Sequence, residues 1–141
     1  MAHYTVKQLM DMKAKGILPK PRKSSRNLEH SLQRSEVSYM RAKHRDLLGV
    51  FFAVPNGQKR TDSQTSWLHE EGMLNGVSDM LLLKPNRFYG CLCIENKTKT
   101  GRQRPEQVSF QQAVEANGNK YVICRSLDDF IREVEDYLSN D

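Results

Sequence analysis

Cysteine is scarce. Cys91, Cys93 and Cys124 are the only three in the chain. The number is odd and no second Cys or His pair stands at zinc spacing, so neither a disulfide framework nor a structural zinc site is indicated. No apolar run approaches the roughly 20 residues a membrane helix needs. No apolar h-region follows the N-terminus, which excludes a secretory signal of the usual pattern. No segment repeats. These absences describe a reduced, cytosolic, disulfide-free protein. What is present suits one globular domain: 141 residues, 38% of them hydrophobic, enough to bury a core without staples.

Charge is unevenly placed. The chain carries 22 Lys and Arg against 17 Asp and Glu. Residues 1–60 hold 13 basic and four acidic side chains, whereas residues 61–141 hold nine and 13. A basic first half fits a polyanionic partner, because Lys and Arg that neutralise phosphates release condensed counterions. A solvated basic surface is the plainer alternative, and charge alone does not choose between them.

Residues 1–26 read as an appendage. Thr5 and Gln8 fit a capping box, with Tyr4 and Leu9 placed for a hydrophobic staple. Gly16 fits the left-handed position that ends a helix. A short helix near 5–15 is expected, then an extended basic arm, Leu18 to Arg26, with two prolines. The compact part, 27–141, starts with Asn27 as N-cap of a helix running to about Arg45. Val50 to Val54 is a short strand halted by Pro55 and the Asn56-Gly57 turn signal. Asp62 to Glu71 reads as a helix closed by Gly72. Asp79 to Leu83 and Tyr89 to Lys97 read as two strands of a hairpin. Pro105 suits the first turn of a helix continuing to Asn117-Gly118. Tyr121 to Cys124 is a further strand, and Ser126 to Asp129 a second capping box opening a helix with Leu127, Phe130, Ile131, Val134 and Leu138 on one face. The order predicts a mixed α/β fold, a small central sheet flanked by helices.

The chemistry concentrates in the hairpin. Strand side chains alternate faces, so Glu95 and Lys97 share a face with Cys91 and Cys93, while Asn96 points away. Pairing as a hairpin lets the Asp79 and Glu95 carboxylates converge at one end of the sheet. Two carboxylates beside a main-chain carbonyl form an oxygen-rich pocket for a hard divalent cation such as Mg²⁺. Lys97 sits about 6–7 Å further along the strand. A bound metal with a nearby ammonium suits phosphodiester hydrolysis, which needs an attacking hydroxide and compensation for growing negative charge. Taken singly, a Glu-x-Lys is more often an exposed charge pair, and Asp79 could be a turn residue. Cys91 and Cys93 fit as small apolar neighbours rather than ligands. Glu29, Gln33, Glu36 and Met40 follow at steps of four, three and four, so Glu29 and Glu36 share one stripe of the long helix.

Three segments together resemble a known family: Gly76-Val77-Ser78-Asp79, Ile94-Glu95-Asn96-Lys97-Thr98, and Gly101-Arg102-Gln103-Arg104-Pro105-Glu106-Gln107. They are similar to the virus-type replication-repair nuclease (VRR-NUC) domain of the PD-(D/E)xK superfamily. Glu29 to Gln33, Phe52 to Gly57 and Tyr121 to Ser126 extend the likeness over about residues 27–138. The resemblance implies a restriction-endonuclease-like core and a Mg²⁺- or Mn²⁺-dependent DNA endonuclease without a small-molecule cofactor. It implies that Asp79 and Glu95 are metal ligands, with the Asn96 carbonyl, and that Lys97 assists the attacking water. Glu29 would join the metal site directly or through water, and is preferred to Glu36 because its spacing to Gln33 matches the family. Gln107 would steady Lys97 or the nucleophile, unless it is a surface residue of the first helical turn. Lys59, Arg60, Lys99, Arg102 and Arg104 are phosphate-contact candidates. Trp67 is expected in the core or an interface, and the histidines on the surface.

Stand-alone members of the family resemble homodimers that act on branched DNA such as Holliday junctions, which implies a cytoplasmic setting in a bacterial or phage-infected cell. A less selective nuclease of phage or host defence, or a binding module without activity, are the alternatives. Two residues depart from the family pattern. Ser78 replaces a usual proline, which implies a less rigid turn before Asp79, and Arg104 replaces a serine at the helix cap, where it could hold a phosphate.

Overall fold

The computed structural model describes residues 5–16, 24–55 and 60–141. The expected Tyr4–Leu9 staple, most of the proline-containing arm, the Asn56-Gly57 turn and Lys59 fall outside the residues whose contacts are described. Among the described residues, five helices and four strands follow in the expected order: α1 Val6–Ala14, α2 Ser25–Lys43, β1 Phe51–Ala53, α3 Asp62–Glu70, β2 Met80–Leu82, β3 Leu92–Asn96, α4 Pro105–Ala116, β4 Lys120–Cys124 and α5 Leu127–Ser139. A 3₁₀ turn, Arg45–Leu47, links α2 to β1.

Caps set the helix boundaries. Thr5 and Gln8 form the reciprocal box at α1, and Gly16 takes φ +66°. At α2 the cap is Ser24, whose hydroxyl accepts the Asn27 N–H at 3.2 Å. The helix therefore begins two residues before the expected Asn27 cap, and Ser25 and Arg26 belong to its first turn, not to the arm. A serine hydroxyl serves an orphan N–H as well as asparagine does, and no proline follows to fix the choice. At α5 the Ser126 hydroxyl accepts the Asp129 N–H, but the return half of the expected box is absent: Asp129 Oδ2 accepts from the Arg125 N–H instead.

The sheet is mixed, in order β1-β2-β3-β4, with β1, β2 and β3 antiparallel and β4 parallel to β3. β2 and β3 are the expected hairpin, and α4 is the crossover that a parallel β3–β4 pair requires. In register, Ala53, Met80, Ile94 and Val122 form one row and Phe51, Leu82 and Leu92 another. Apart from the exposed Ala53, these rows pack against Met40 of α2 and Phe130, Val134 and Tyr137 of α5 to form the core. Every residue of β3 is buried, as expected of a strand covered on both faces. The opposite face carries Phe52, Leu81, Cys93 and Tyr121, with Phe110 of α4 against the Tyr121 ring at 6.2 Å.

Of the two places expected for Trp67, the core or an interface, the fold excludes the core. Trp67 is 69% exposed on α3, which buries none of its residues. The α3 pattern places Trp67 and Leu68 side by side rather than on one stripe, so no apolar face exists to dock it.

Candidate active site

The β2–β3 register determines where the acids meet. Met80 pairs with Ile94, so one step further Asp79 lies opposite Glu95, both on the face away from the core. Two hydrogen bonds hold Asp79 and a third orders the residue before it. The Asp79 main-chain carbonyl accepts the Val54 N–H at 2.8 Å, and its Oδ2 accepts the Asn96 N–H at 2.7 Å. Ser78 just before it is fully buried, and its hydroxyl donates to the Met80 carbonyl at 3.3 Å. That bond supplies local order at the position where the resemblance implies a proline.

Glu95 is held from two sides. Its Oε1 accepts from Gln107 Nε2 at 2.7 Å and lies 3.3 Å from Lys97 Nζ. Its Oε2 is buried and has no hydrogen-bond partner. Gln107 is buried, not the surface residue of the alternative reading. Its own Oε1 accepts the Arg104 N–H at 2.9 Å, so one amide both caps α4 and orients Glu95. Arginine has no acceptor atom, so only this half of a capping box forms at Arg104.

Asn96 points to the other face, as alternation requires, and meets Glu36. Its Nδ2 donates to Glu36 Oε2 at 2.8 Å, and both side chains are buried. Glu36 Oε1 and Asn96 Oδ1 have no partner. Glu29, by contrast, is half-buried and lines the cleft with Asp79, Glu95, Lys97 and Gln107. The two glutamates that share a helical stripe thus part company: one supports β3 from behind and one faces the cleft.

Burial dominates the electrostatics. It pushes the Glu95 carboxyl up to about 7, with Asp79 adding to the rise and Lys97 opposing it. It also raises Asp79, against the Asn96 N–H and the charges of Lys97, His30 and Arg104. On the other face, burial pushes Glu36 up to about 8 while the Asn96 bond lowers it and Asp79 raises it. Two carboxylates brought together and biased by burial toward their neutral forms, with Glu95 Oε2 buried and unpartnered, are a donor set that a cation would stabilise. The residues therefore fit a hard divalent ion. Asp79, Glu95 and the Asn96 carbonyl would hold it, all of them oxygen donors. Among the described residues no three His, Cys, Asp or Glu side chains group as a ligand set, and Glu29 lines the same cleft as the two acids. Cys93 is buried beside Cys91, and its thiol is pushed up to about 12, first by burial. It is inert packing.

The cationic candidates divide. Arg102 and Arg104 line the cleft, together with Arg26 and His30. Lys99 lines an adjoining hollow with Thr98, Leu28 and Arg125. Arg60 is elsewhere, its Nη1 at 3.2 Å from Met73 Sδ. Lys59 is not described. The loop from Lys97 to Arg102 has a support that no motif signalled: Arg125 Nη1 donates to the carbonyls of Thr98 and Gly101, each at 2.7 Å. Only the tertiary fold brings the residue after β4 beside the residues after β3.

No family model and no curated protein matches the sequence. Among solved structures, the fold matches that of a "VRR_NUC domain protein" with a TM-score of 0.70, over 80% of this chain and 89% of that one, at 18% identity. The chain therefore has the α/β fold of that nuclease-named domain, with the mixed four-stranded sheet and flanking helices described above.

Proposed function

We propose that this chain is a divalent-metal-dependent DNA endonuclease, selective for branched substrates such as four-way junctions and acting as a homodimer in the cytoplasm. The observation that carries the reading is the cleft that Asp79, Glu95 and Lys97 line together, with Lys97 Nζ 3.3 Å from Glu95 Oε1. The fold shared with a VRR_NUC domain protein supports it. So does the cleft mouth, where Arg26, Arg102 and Arg104 surround the acids with positive charge suited to a phosphate backbone. Among the described residues no helix is long and apolar enough to cross a membrane.

Each residue has a task in this reading. Asp79 and Glu95 hold Mg²⁺ or Mn²⁺ with the Asn96 carbonyl. When bound, the ion supplies an ionised water near neutral pH and offsets charge on the phosphoryl oxygens. Lys97 orients the attacking water and stabilises developing negative charge through its ammonium. Gln107 keeps Glu95 in place, and Glu29 contacts the site through water. Arg102 and Arg104 grip the phosphates that flank the cleaved bond. Homodimerisation supplies the second site that cutting two strands of a junction requires. Incubating labelled four-way junctions and matched linear duplexes with the protein and Mg²⁺ tests the reading. Faster cleavage of the junction supports it, equal cleavage leaves a nuclease without branch preference, and no cleavage of either overturns it.

A further inference from the structure

The first 60 residues hold 13 basic side chains, and of these the cleft uses only Arg26 among those described. The outer face of α2 accounts for several more. Arg26, His30 and Arg34 follow at steps of four, and Arg41 comes seven residues later, which puts all four on one stripe of the helix. All four are exposed. Arg26 Nε lies 3.4 Å from His30 Nε2. Gln33, Arg34, Ser38 and Arg41 continue the surface as a hollow that shares His30 and Gln33 with the cleft.

Two features let this stripe present a single sign of charge. Several exposed cations elsewhere are paired, Lys43 with Glu135, Arg104 with Glu106 and Arg132 with Asp129. Among the described residues no carboxylate pairs with Arg26, Arg34 or Arg41. The acids of α2 also lie off the stripe, Glu36 buried against Asn96 and Glu29 in the cleft wall. A helix face that keeps its cations free of acids, and runs without a break into a cleft that takes a phosphodiester, presents one sign of charge to a polyanion.

We infer that the outer face of α2 is a backbone-binding track for the duplex arm that leaves the cleft, gripped by Arg34 and Arg41. This rests on the nucleic-acid reading of the cleft. From Arg26 to Arg41 the helix runs about 22 Å, the axial length of about six to seven base pairs at 3.4 Å each. The track reads phosphates and not bases, so it contributes affinity and register without sequence preference.

The test measures binding in EDTA, where no chemistry occurs, by fluorescence anisotropy of a labelled 30-bp duplex between 50 and 200 mM salt. Each phosphate contact contributes about 0.9 to the slope of log K against log salt. Arg34→Gln/Arg41→Gln is expected to lower the slope by about 1.8, so wild type loses about twelvefold more affinity across that range than the variant does. Arg34→Lys/Arg41→Lys is expected to keep the slope. Lys84→Gln/Arg87→Gln removes the same charge beyond the far end of β2 and is expected to leave the slope near wild type. With Mg²⁺, the Arg34→Gln/Arg41→Gln variant is expected to raise KM and leave kcat unchanged on substrates with long arms, and to match wild type when the arm is shorter than about six base pairs. An unchanged slope, or an equal fall in the Lys84→Gln/Arg87→Gln control, overturns the track while cleavage by wild type still supports the nuclease reading. A stripe-dependent slope in a protein that cleaves nothing supports the track and overturns the nuclease.

Discussion

Gln107 donates to Glu95 at 2.7 Å while its own carbonyl oxygen takes the Arg104 N–H at 2.9 Å. One side chain thus joins the start of α4 to a proposed metal ligand on β3. Replacing it by leucine removes a buried donor from Glu95 and leaves the helix start uncapped. Gln107→Leu is expected to lose about 1–3 kcal/mol of stability, read from denaturant unfolding, and about 10–100-fold in activity as an outer partner of a metal ligand. Gln107→Glu brings a third carboxylate beside Glu95 and is expected to be at least as damaging.

Gly76 has φ +83°, and a Cβ there would come within 2.3 Å of the Glu106 carbonyl oxygen. The turn before Asp79 is therefore packed directly on the first turn of α4. Gly72 also has a positive φ, +102°, but no atom lies within 4 Å of its Cβ position. Gly72→Ala is expected to cost about 1–2 kcal/mol from backbone strain alone. Gly76→Ala adds overpacking of about 1–3 kcal/mol and should also lower activity, because it moves Gln107 away from Glu95. Equal effects of the two substitutions on stability would show that the close approach carries no weight.

The Glu36–Asn96 pair lies under the site. Removing one partner strands the other in the core, so Glu36→Leu is expected to destabilise by about 1–3 kcal/mol. Replacing both residues by leucine removes the unpaired atoms together and is expected to recover most of that loss. A double-mutant cycle by chemical unfolding measures the coupling.

Glu135 ties α5 to the end of α2. Its carboxyl is held down to about 2, chiefly by the Tyr39 hydroxyl and then by His44, with Lys43 at 3.2 Å. A carboxylate whose folded value is depressed adds stability above its unfolded value near 4.5, and that stability is lost as pH falls toward about 2. Stability is therefore expected to fall between those limits, and Glu135→Gln to flatten this part of the profile. Thermal unfolding followed from pH 7 to pH 2.5 checks the difference between the two proteins.

Most of the fold was legible because its signals are local. Thr5, Pro105 and Ser126 mark helix starts, and the apolar runs at Asp79–Leu83 and Tyr89–Lys97 mark the hairpin that sets Asp79 against Glu95. What stayed hidden depends on distant partners. Glu29 and Glu36 lie on one stripe of α2, and only the depth at which α2 crosses β3 makes one a cleft residue and the other a buried support. Arg125 reaches the Thr98 and Gly101 carbonyls only because β3 and β4 run parallel. Trp67 shows the converse: large apolar residues find the core only when a face of neighbours goes with them.

The central claim is that Asp79 and Glu95 act together on a phosphodiester. Its most direct test is single-turnover cleavage of a labelled four-way junction in Mg²⁺ by wild type and Asp79→Asn, with folding of both checked by thermal unfolding. The account predicts cleavage by wild type, none in EDTA, and a rate at least about 100-fold lower for the equally folded Asp79→Asn protein. Cleavage by Asp79→Asn at the wild-type rate would contradict it.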